Sequence, residues 1–157
     1  HTDIILHKDK APQAVNHTGY VSLYPILFGL ASTDRAERTL EMVKKELLTP
    51  FGLRSLSTSD RYYMKGDRYW TGPIWVNINY LFLSAMHTCY RDIPLAQELY
   101  DTVRKGLIDT VVGNYVRTGF IWEQYSDTTG QGQRSHPFTG WSSLIVLIMS
   151  EKYLQYY

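Results

Sequence analysis

The chain has 157 residues, of which 44% are hydrophobic, and this is enough for one domain with a core. A formal net charge of +1 argues against nucleic acid or an anionic membrane as a partner. The longest apolar run, LIVLIM at residues 144–149, is too short to span a bilayer. Cys89 is the only cysteine and the five histidines lack a metal-ligand spacing, so we expect no disulfide, metal or cofactor.

Hydrophobic periodicity predicts five helices, at residues 23–30, 35–48, 73–89, 94–112 and 141–153. Ser22 is the predicted cap of the first helix, and Asp34 with Glu37 forms a capping pair for the second. Pro73 suits the first position of the third helix, and Gly113 is the predicted stop of the fourth. The first, third and fifth helices are apolar on most sides, whereas the second and fourth are amphipathic.

Two connections, residues 49–72 and 113–140, are each longer than twenty residues, a length typical of functional loops. Each leads into a buried helix, as does the segment 1–21, so all three are expected at one rim. Inner and outer helices in strict alternation predict an all-α fold, an arc of an α/α toroid, and an ordinary five-helix bundle is the alternative. Five helices do not close such a ring, and the chain begins with His1. We therefore expect residues 1–157 to be part of a larger domain that missing residues or a partner chain completes.

Aromatic residues concentrate in the two long loops and at the first turns of the helices that follow them. Rings that stack on sugar faces, with amides and guanidinium groups between them for the hydroxyls, are what a carbohydrate cleft requires. The alternative is that these rings only pack the rim. The candidate substrate-binding residues are Arg54, Trp70, Trp75, Asn77, Trp122, Tyr125, Phe138 and Trp141.

One loop carboxylate, Glu123, lies in an apolar stretch, FIWEQY at residues 120–125. Burying a carboxylate in such a stretch costs free energy unless the group has a bonding partner or takes part in catalysis. Glycosidases use two carboxyl groups, one as an acid and one as a base. Asp60 and Asp67 lie among Ser, Arg, Lys and Gly, where a solvated role suits them. Glu123 is therefore the candidate catalytic residue, with a paired structural role as the alternative.

Five blocks of the sequence resemble the processing α-glucosidase I family, the mannosyl-oligosaccharide glucosidases. They are GYVSL (19–23), TPFGLRSL (49–56), YWTGPIWVNINYL (69–81), GFIWEQYSD (119–127) and HPFTGWSSL (136–144). The blocks occur in order along nearly the whole chain, which is similar to the C-terminal part of the catalytic domain.

The resemblance implies an (α/α)6 barrel and an inverting hydrolase that removes the terminal α-1,2-linked glucose from the triglucosylated N-glycan precursor. It implies that Glu123 is the general base and that the general acid, an aspartate, lies upstream of this chain, so the segment alone is expected to be inactive. The remaining residues of the barrel, in the same polypeptide or another chain, are then its partner.

The resemblance also implies a location in the endoplasmic reticulum lumen and a membrane anchor outside this segment. The sequon NHT at residues 16–18 is compatible with such a glycoprotein, although its closeness to the rim favours an unmodified asparagine. Two other functions stay open: a related α-glucosidase or trehalase acting on another glucoside, and a non-catalytic glycan-binding helical module.

Overall fold

The computed structural model describes the backbone of residues 3–7 and 10–153, and the side chains from residue 16 to residue 153. Its helices lie in the five predicted places but have different ends. They are α1 (Tyr24–Leu27, after a 3-10 turn at Tyr20–Leu23), α2 (Thr33–Met42, continued by a π-helical turn at Val43–Leu47), α3 (Val76–Thr88), α4 (Pro94–Thr118) and α5 (Ile145–Met149, after a 3-10 turn at Trp141–Leu144).

The loops contain three short antiparallel hairpins that the sequence did not predict. They are β1 (Asp3–His7) with β2 (Lys10–Val15), β3 (Leu48–Thr49) with β4 (Gly52–Leu53), and β5 (Gln124–Tyr125) with β6 (Gly132–Gln133). Asp3 is opposite Val15 in the first hairpin, and Tyr125 is opposite Gly132 in the third. The strands of the second and third hairpins have two residues each and carry almost no periodicity, which is why the pattern does not reveal them.

The helices are arranged as the predicted alternation requires. The central helix α3 packs against α1, α4 and the segment that contains α5, while α2 packs on the outside against α4. The core includes Leu23, Leu83, Leu99 and Ile148, none of which has any exposed surface. Helices one, three and five therefore form the inner layer, and two and four form the outer layer.

The first and last inner helices are not fully covered. Val21 and Phe28, next to α1, are 55% and 54% exposed, and Val146 of α5 is 62% exposed. Apolar residues that would be buried in a closed ring thus lie at both ends of the arc. No helix in the described part of the chain has both the length and the hydrophobicity needed to cross a membrane.

Several predicted helix ends were wrong. The residue before α2 is Ser32, and Asp34 lies inside the helix, where its carboxylate pairs with Arg38 one turn later. Helix α3 starts at Val76 because Ile74 is extended: its N–H donates to the Tyr125 carbonyl (2.8 Å) and its carbonyl accepts from the Tyr125 N–H (3.0 Å). The first and fifth helices also end earlier than predicted, at Leu27 and Met149.

Helix α4 continues through Gly113 and ends at Thr118, followed by Gly119 in the left-handed region (φ 77°). The expected stop at Gly113 was wrong because an interior glycine costs only ~1 kcal/mol. Burial of Val111 and Asn114 on the same helix offsets that cost. Gly119, in contrast, adopts a conformation that a side chain disfavours.

The two glycines therefore predict stability changes of opposite sign. Gly113→Ala should raise the free energy of unfolding by about 0.5–1 kcal/mol, because a Cβ at position 113 would have no other atom within 4 Å. Gly119→Ala should lower stability by about 1 kcal/mol, because alanine is strained at positive φ. Thermal unfolding of the intact protein measures both changes, and equal stabilisation by the two substitutions would contradict the assignment of the helix end.

Candidate active site

The two long loops meet through Ile74. In addition to its paired hydrogen bonds with Tyr125, Ile74 forms a β-bridge with Arg54 on its other side. The stretches around residues 54, 74 and 125 therefore run side by side at one rim of the inner helices. This pairing brings the aromatic residues of the first loop next to the Glu123 segment of the second.

Asn79 of α3 attaches strand β4 to the same inner helix. Its Oδ1 accepts from the N–H of Leu53 (2.8 Å), and its Nδ2 donates to the Leu53 carbonyl (3.1 Å) and to the Tyr20 hydroxyl (3.0 Å). Asn79 is fully buried. Its side chain therefore bonds backbone groups at the rim rather than reaching a cleft.

Glu123 is 7% exposed and is held at both its backbone and its carboxylate. Its N–H donates to the Ser135 carbonyl (3.0 Å), and its carbonyl accepts from the Ser142 hydroxyl (3.3 Å). The Tyr69 hydroxyl donates to Oε1, and the N–H of Ser135 donates to Oε2 (3.3 Å). Each carboxylate oxygen therefore has a hydrogen-bond donor.

These donors decide the ionisation of Glu123. Burial raises the pKa of its carboxyl group, but the hydrogen bonds from Tyr69 and Ser135, together with the nearby Arg134 guanidinium, outweigh burial and hold the pKa below its usual value. Glu123 is thus a buried carboxylate that stays ionised at neutral pH. Such a group can accept a proton from a bound water.

Five rings form a continuous group that we call the aromatic wall: Tyr69, Trp70, Trp75, Phe138 and Trp141. Trp70 stacks nearly parallel on Trp75, with ring centroids 3.9 Å apart and planes at 15°. Tyr69 meets Trp75 edge to face at 4.7 Å, and Trp141 packs between Trp75 and Phe138 at 5.7 and 5.3 Å. The wall thus connects through Tyr69 to the carboxylate of Glu123.

The predicted sugar-contacting residues differ in exposure. Trp70 is 43% exposed, while Trp75 and Tyr125 have no exposed surface, so neither of these two rings offers a free face within the described chain. The indole N–H of Trp75 donates to the Tyr69 carbonyl (3.0 Å), and the Tyr125 hydroxyl accepts from the Trp122 N–H (3.2 Å). Burial raises the pKa of Tyr125 to about 12. Trp75 and Tyr125 are therefore buried packing residues of the site and not sugar-contacting surfaces.

Trp122 belongs to a separate cluster. Its ring packs against the His136 ring at 3.8 Å with the planes tilted by 31°, and it covers Gly132, where an added Cβ would lie 2.2 Å from the indole. Its indole N–H donates to the Thr118 hydroxyl (3.2 Å). Asn77, in the first turn of α3, is half-buried, and its Oδ1 has no hydrogen-bond partner among the described residues.

The guanidinium of Arg54 contacts other side chains within the protein. It lies 3.4 Å from the carboxylate of Asp127, whose side chain is 1% exposed, and over the ring of Tyr63 at 5.8 Å. The Tyr63 hydroxyl donates to the same carboxylate (2.7 Å), and burial followed by this hydrogen bond raises the Tyr63 pKa to about 12. Sequence reasoning missed this cluster, and it gives Arg54 a structural partner.

No group of histidine, cysteine or acidic side chains suitable for a metal ion occurs among the described residues. A cavity of about 830 Å³ lies beside α1 and α2, and its lining includes Val21, Phe28 and Met42. It is therefore separate from Glu123, and it coincides with the uncovered end of the arc.

The C-terminal domain of glycosyl hydrolase family 63 matches residues 2–151 of the chain. The chain belongs to glycosyl hydrolase family 63. It is 45% identical over 151 residues to a probable mannosyl-oligosaccharide glucosidase of Schizosaccharomyces pombe, covering 90% of this chain and 19% of that protein. It is 40% identical to a mannosyl-oligosaccharide glucosidase of Arabidopsis thaliana, covering 88% of this chain and 18% of that one.

The family 63 chain also has the fold of a solved family member. The mannosylglycerate hydrolase of Thermus thermophilus, whose crystal structure contains Tris and D-glycerate, superposes with a TM-score of 0.68 at 22% identity over 88% of this chain and 31% of that chain. This confirms an arc of an (α/α)6 barrel rather than a separate five-helix bundle. The chain spans about a fifth of the length of the curated glucosidases it matches.

The buried cluster around Asp127 predicts a strong effect on stability. Arg54→Met leaves a carboxylate that is 1% exposed without its cation, and it should destabilise the intact protein by about 3 kcal/mol. Thermal unfolding measures the loss. Lys105→Met, which breaks an exposed pair with Asp109 on α4, is the control and should leave the unfolding temperature nearly unchanged. Equal effects of the two substitutions would contradict a buried ion pair.

Proposed function

We propose that this family 63 chain supplies the general base and part of the sugar-binding wall of an inverting exo-α-glucosidase. The substrate is the triglucosylated N-glycan precursor, from which the enzyme removes the terminal α-1,2-linked glucose. The observation that carries the proposal is Glu123: a buried carboxylate with a donor on each oxygen, connected through Tyr69 to two stacked tryptophan rings. The names of the relatives, which are mannosyl-oligosaccharide glucosidases, support the substrate class.

Glu123 has the ionisation state that a general base needs. Its lowered pKa keeps the carboxylate free to take a proton from the water that attacks the anomeric carbon. In an inverting enzyme the water occupies the space between base and acid, whose carboxyl groups are roughly 6.5–9.5 Å apart. Glu123 draws the proton from this water as the glycosidic bond breaks, and the acid protonates the leaving oxygen.

The general acid is proposed to lie outside this chain. Among the described residues, the nearest buried carboxylate in sequence is Asp127, which the guanidinium of Arg54 and the hydroxyl of Tyr63 already occupy. The Asp127 side chain is 1% exposed and engaged by these two groups, so it is not available to contact a substrate. The segment alone is therefore inactive, and the complete enzyme combines it with the rest of the barrel.

The exposed apolar residues at both ends of the arc support the proposal that the rest of the barrel packs against this chain. The exposed residues Val21 and Phe28 at α1 and Val146 at α5 provide apolar surface at the two ends where further helices of the barrel pack. The curated relatives, about five times longer, have the chain length to supply them. We place the enzyme in the lumen of the endoplasmic reticulum, with a membrane anchor beyond this chain, where the N-glycan precursor is trimmed.

Trp70 is the proposed sugar platform. One face stacks on buried Trp75 and fixes the indole, which leaves a partly exposed ring next to Tyr69, the residue that donates to the Glu123 carboxylate. A rigid aromatic face contributes apolar contact at a small cost in side-chain entropy. Phe138 and Trp141 extend the same wall and remain candidates for contact with the oligosaccharide.

Replacement of Glu123 tests the catalytic assignment. Glu123→Gln in the intact enzyme should lower kcat for glucose release by about a thousandfold, because an amide of similar shape accepts no proton. Proton NMR of the released glucose should show the β-anomer in the wild-type enzyme, as inversion requires. The matched control is Glu98→Gln, the same substitution at an exposed glutamate of α4 that pairs with Lys44. Near wild-type turnover by the Glu123 variant would remove this residue from the mechanism.

The platform predicts an effect mainly on binding. Trp70→Ala should raise KM for the oligosaccharide by about five- to tenfold with a smaller change in kcat, because the stacked sugar face is lost. Steady-state kinetics separates the two constants. The control is Tyr115→Ala, which removes an exposed ring located on α4 and should leave KM unchanged. A KM for the Trp70 variant equal to that of the control would exclude the platform.

A further inference from the structure

Tyr69 lies in a loop, but both its backbone and its ring are held in place by contacts within the protein. Its N–H donates to Oδ1 of Asp67 (3.0 Å), its carbonyl accepts from the indole N–H of Trp75 (3.0 Å), and its ring packs on Trp75 and Trp70. Backbone and ring are therefore both held before any ligand arrives. The result is a phenol whose hydroxyl points at one carboxylate oxygen of Glu123.

We propose that Tyr69 is the positioning residue of the catalytic base: its hydroxyl fixes Oε1 of Glu123 while the N–H of Ser135 fixes Oε2, so that the carboxylate is oriented toward the attacking water. This inference rests on the proposed function. Two donors on two different oxygens restrain rotation of the carboxylate about its last bond. Such preorganisation places the accepting lone pair without reorganisation during the reaction.

Tyr69 keeps its own proton throughout the reaction. The hydrogen bond to Glu123, then burial and the Glu123 charge, raise the pKa of the Tyr69 hydroxyl above its ordinary value. At neutral pH it therefore remains a donor. The proton that leaves the attacking water passes to Glu123 and not to Tyr69, which contacts the base and acts through it.

The charged groups around this pair are Arg134 and Asp67. The Arg134 guanidinium lies over the Tyr69 ring at 5.4 Å and donates to the Asp67 carbonyl, and it lowers the pKa of both Glu123 and Tyr69. The Asp67 carboxylate raises the Tyr69 pKa. His136, two residues after Arg134, packs against the ring of Trp122. Arg134 is exposed, so salt screens its contribution, whereas the Tyr69 hydrogen bond is local.

Tyr69→Phe in the intact enzyme tests the inference, since it removes one hydroxyl and keeps the ring. We expect kcat at neutral pH to fall about tenfold with KM nearly unchanged, because the base is less well oriented. We also expect the acid limb of the pH profile of kcat to move to higher pH. Burial still raises the pKa of Glu123, while its strongest opposing hydrogen bond is gone.

Tyr63→Phe is the matched control. It removes the same group from the same loop, but its hydroxyl donates to Asp127 instead of Glu123. It should leave the acid limb where it is in the wild type. A second variant, with fluorotyrosine incorporated at position 69, keeps the ring and strengthens the donor, and it should move the acid limb to lower pH.

The outcomes are distinct. If Glu123→Gln abolishes turnover but the Tyr69 variants share the kcat and the acid limb of Tyr63→Phe, the positioning role is overturned and the proposed function stands. If the wild-type enzyme releases no glucose, or Glu123→Gln keeps its turnover, the proposed function itself fails. Opposite shifts of the acid limb for phenylalanine and fluorotyrosine would establish the positioning role.

Discussion

The pair of backbone hydrogen bonds between Ile74 and Tyr125 is the constraint on which the site depends. It joins two loops that come from different parts of the chain, and it sets their register. The first loop carries Tyr69 and Trp70 just before Ile74, and the second carries Glu123 just before Tyr125. Without this pairing, the two loops would not hold the Tyr69 hydroxyl next to the Glu123 carboxylate. The pairing also keeps Ile74 extended, and this delays the start of α3 to Val76.

Two buried carboxylates four residues apart illustrate how the environment assigns different roles. Asp127 is paired with the guanidinium of Arg54 and with the hydroxyl of Tyr63, and its side chain is 1% exposed. Glu123 accepts hydrogen bonds from the Tyr69 phenol and from Ser135, which are neutral donors, while the exposed Arg134 acts on it through its charge. The neutral donors around Glu123 keep it ionised and able to accept a proton, whereas the carboxylate of Asp127 is enclosed by a guanidinium and a phenol. The contrast supports Glu123 as the proposed base and Asp127 as a structural anchor.

The aromatic residues divide in a similar way. Trp75 and Tyr125 have no exposed surface and act as supports, and Trp70 rests on Trp75 with part of its ring exposed. A flat ring that is fixed on one face and free on the other suits stacking against a sugar. The layer beneath therefore gives the platform its rigidity, and the same layer holds the carbonyl of Tyr69 through the Trp75 indole.

The sequence alone determined the number of helices, their inner and outer alternation, the aromatic character of the long loops and the choice of Glu123 as the candidate carboxylate. These features are local: a period of 3.6 residues, a composition, or one charge in an apolar stretch can be recognised within a short window. The helix end at Gly119 instead of Gly113, the burial of Trp75 and Tyr125, and the Arg54–Asp127 pair depended on tertiary structure. The contact between Tyr69 and Glu123 joins residues 54 positions apart. Such partners are chosen by how loops pair across the rim of the arc, and no periodicity within either loop records that choice.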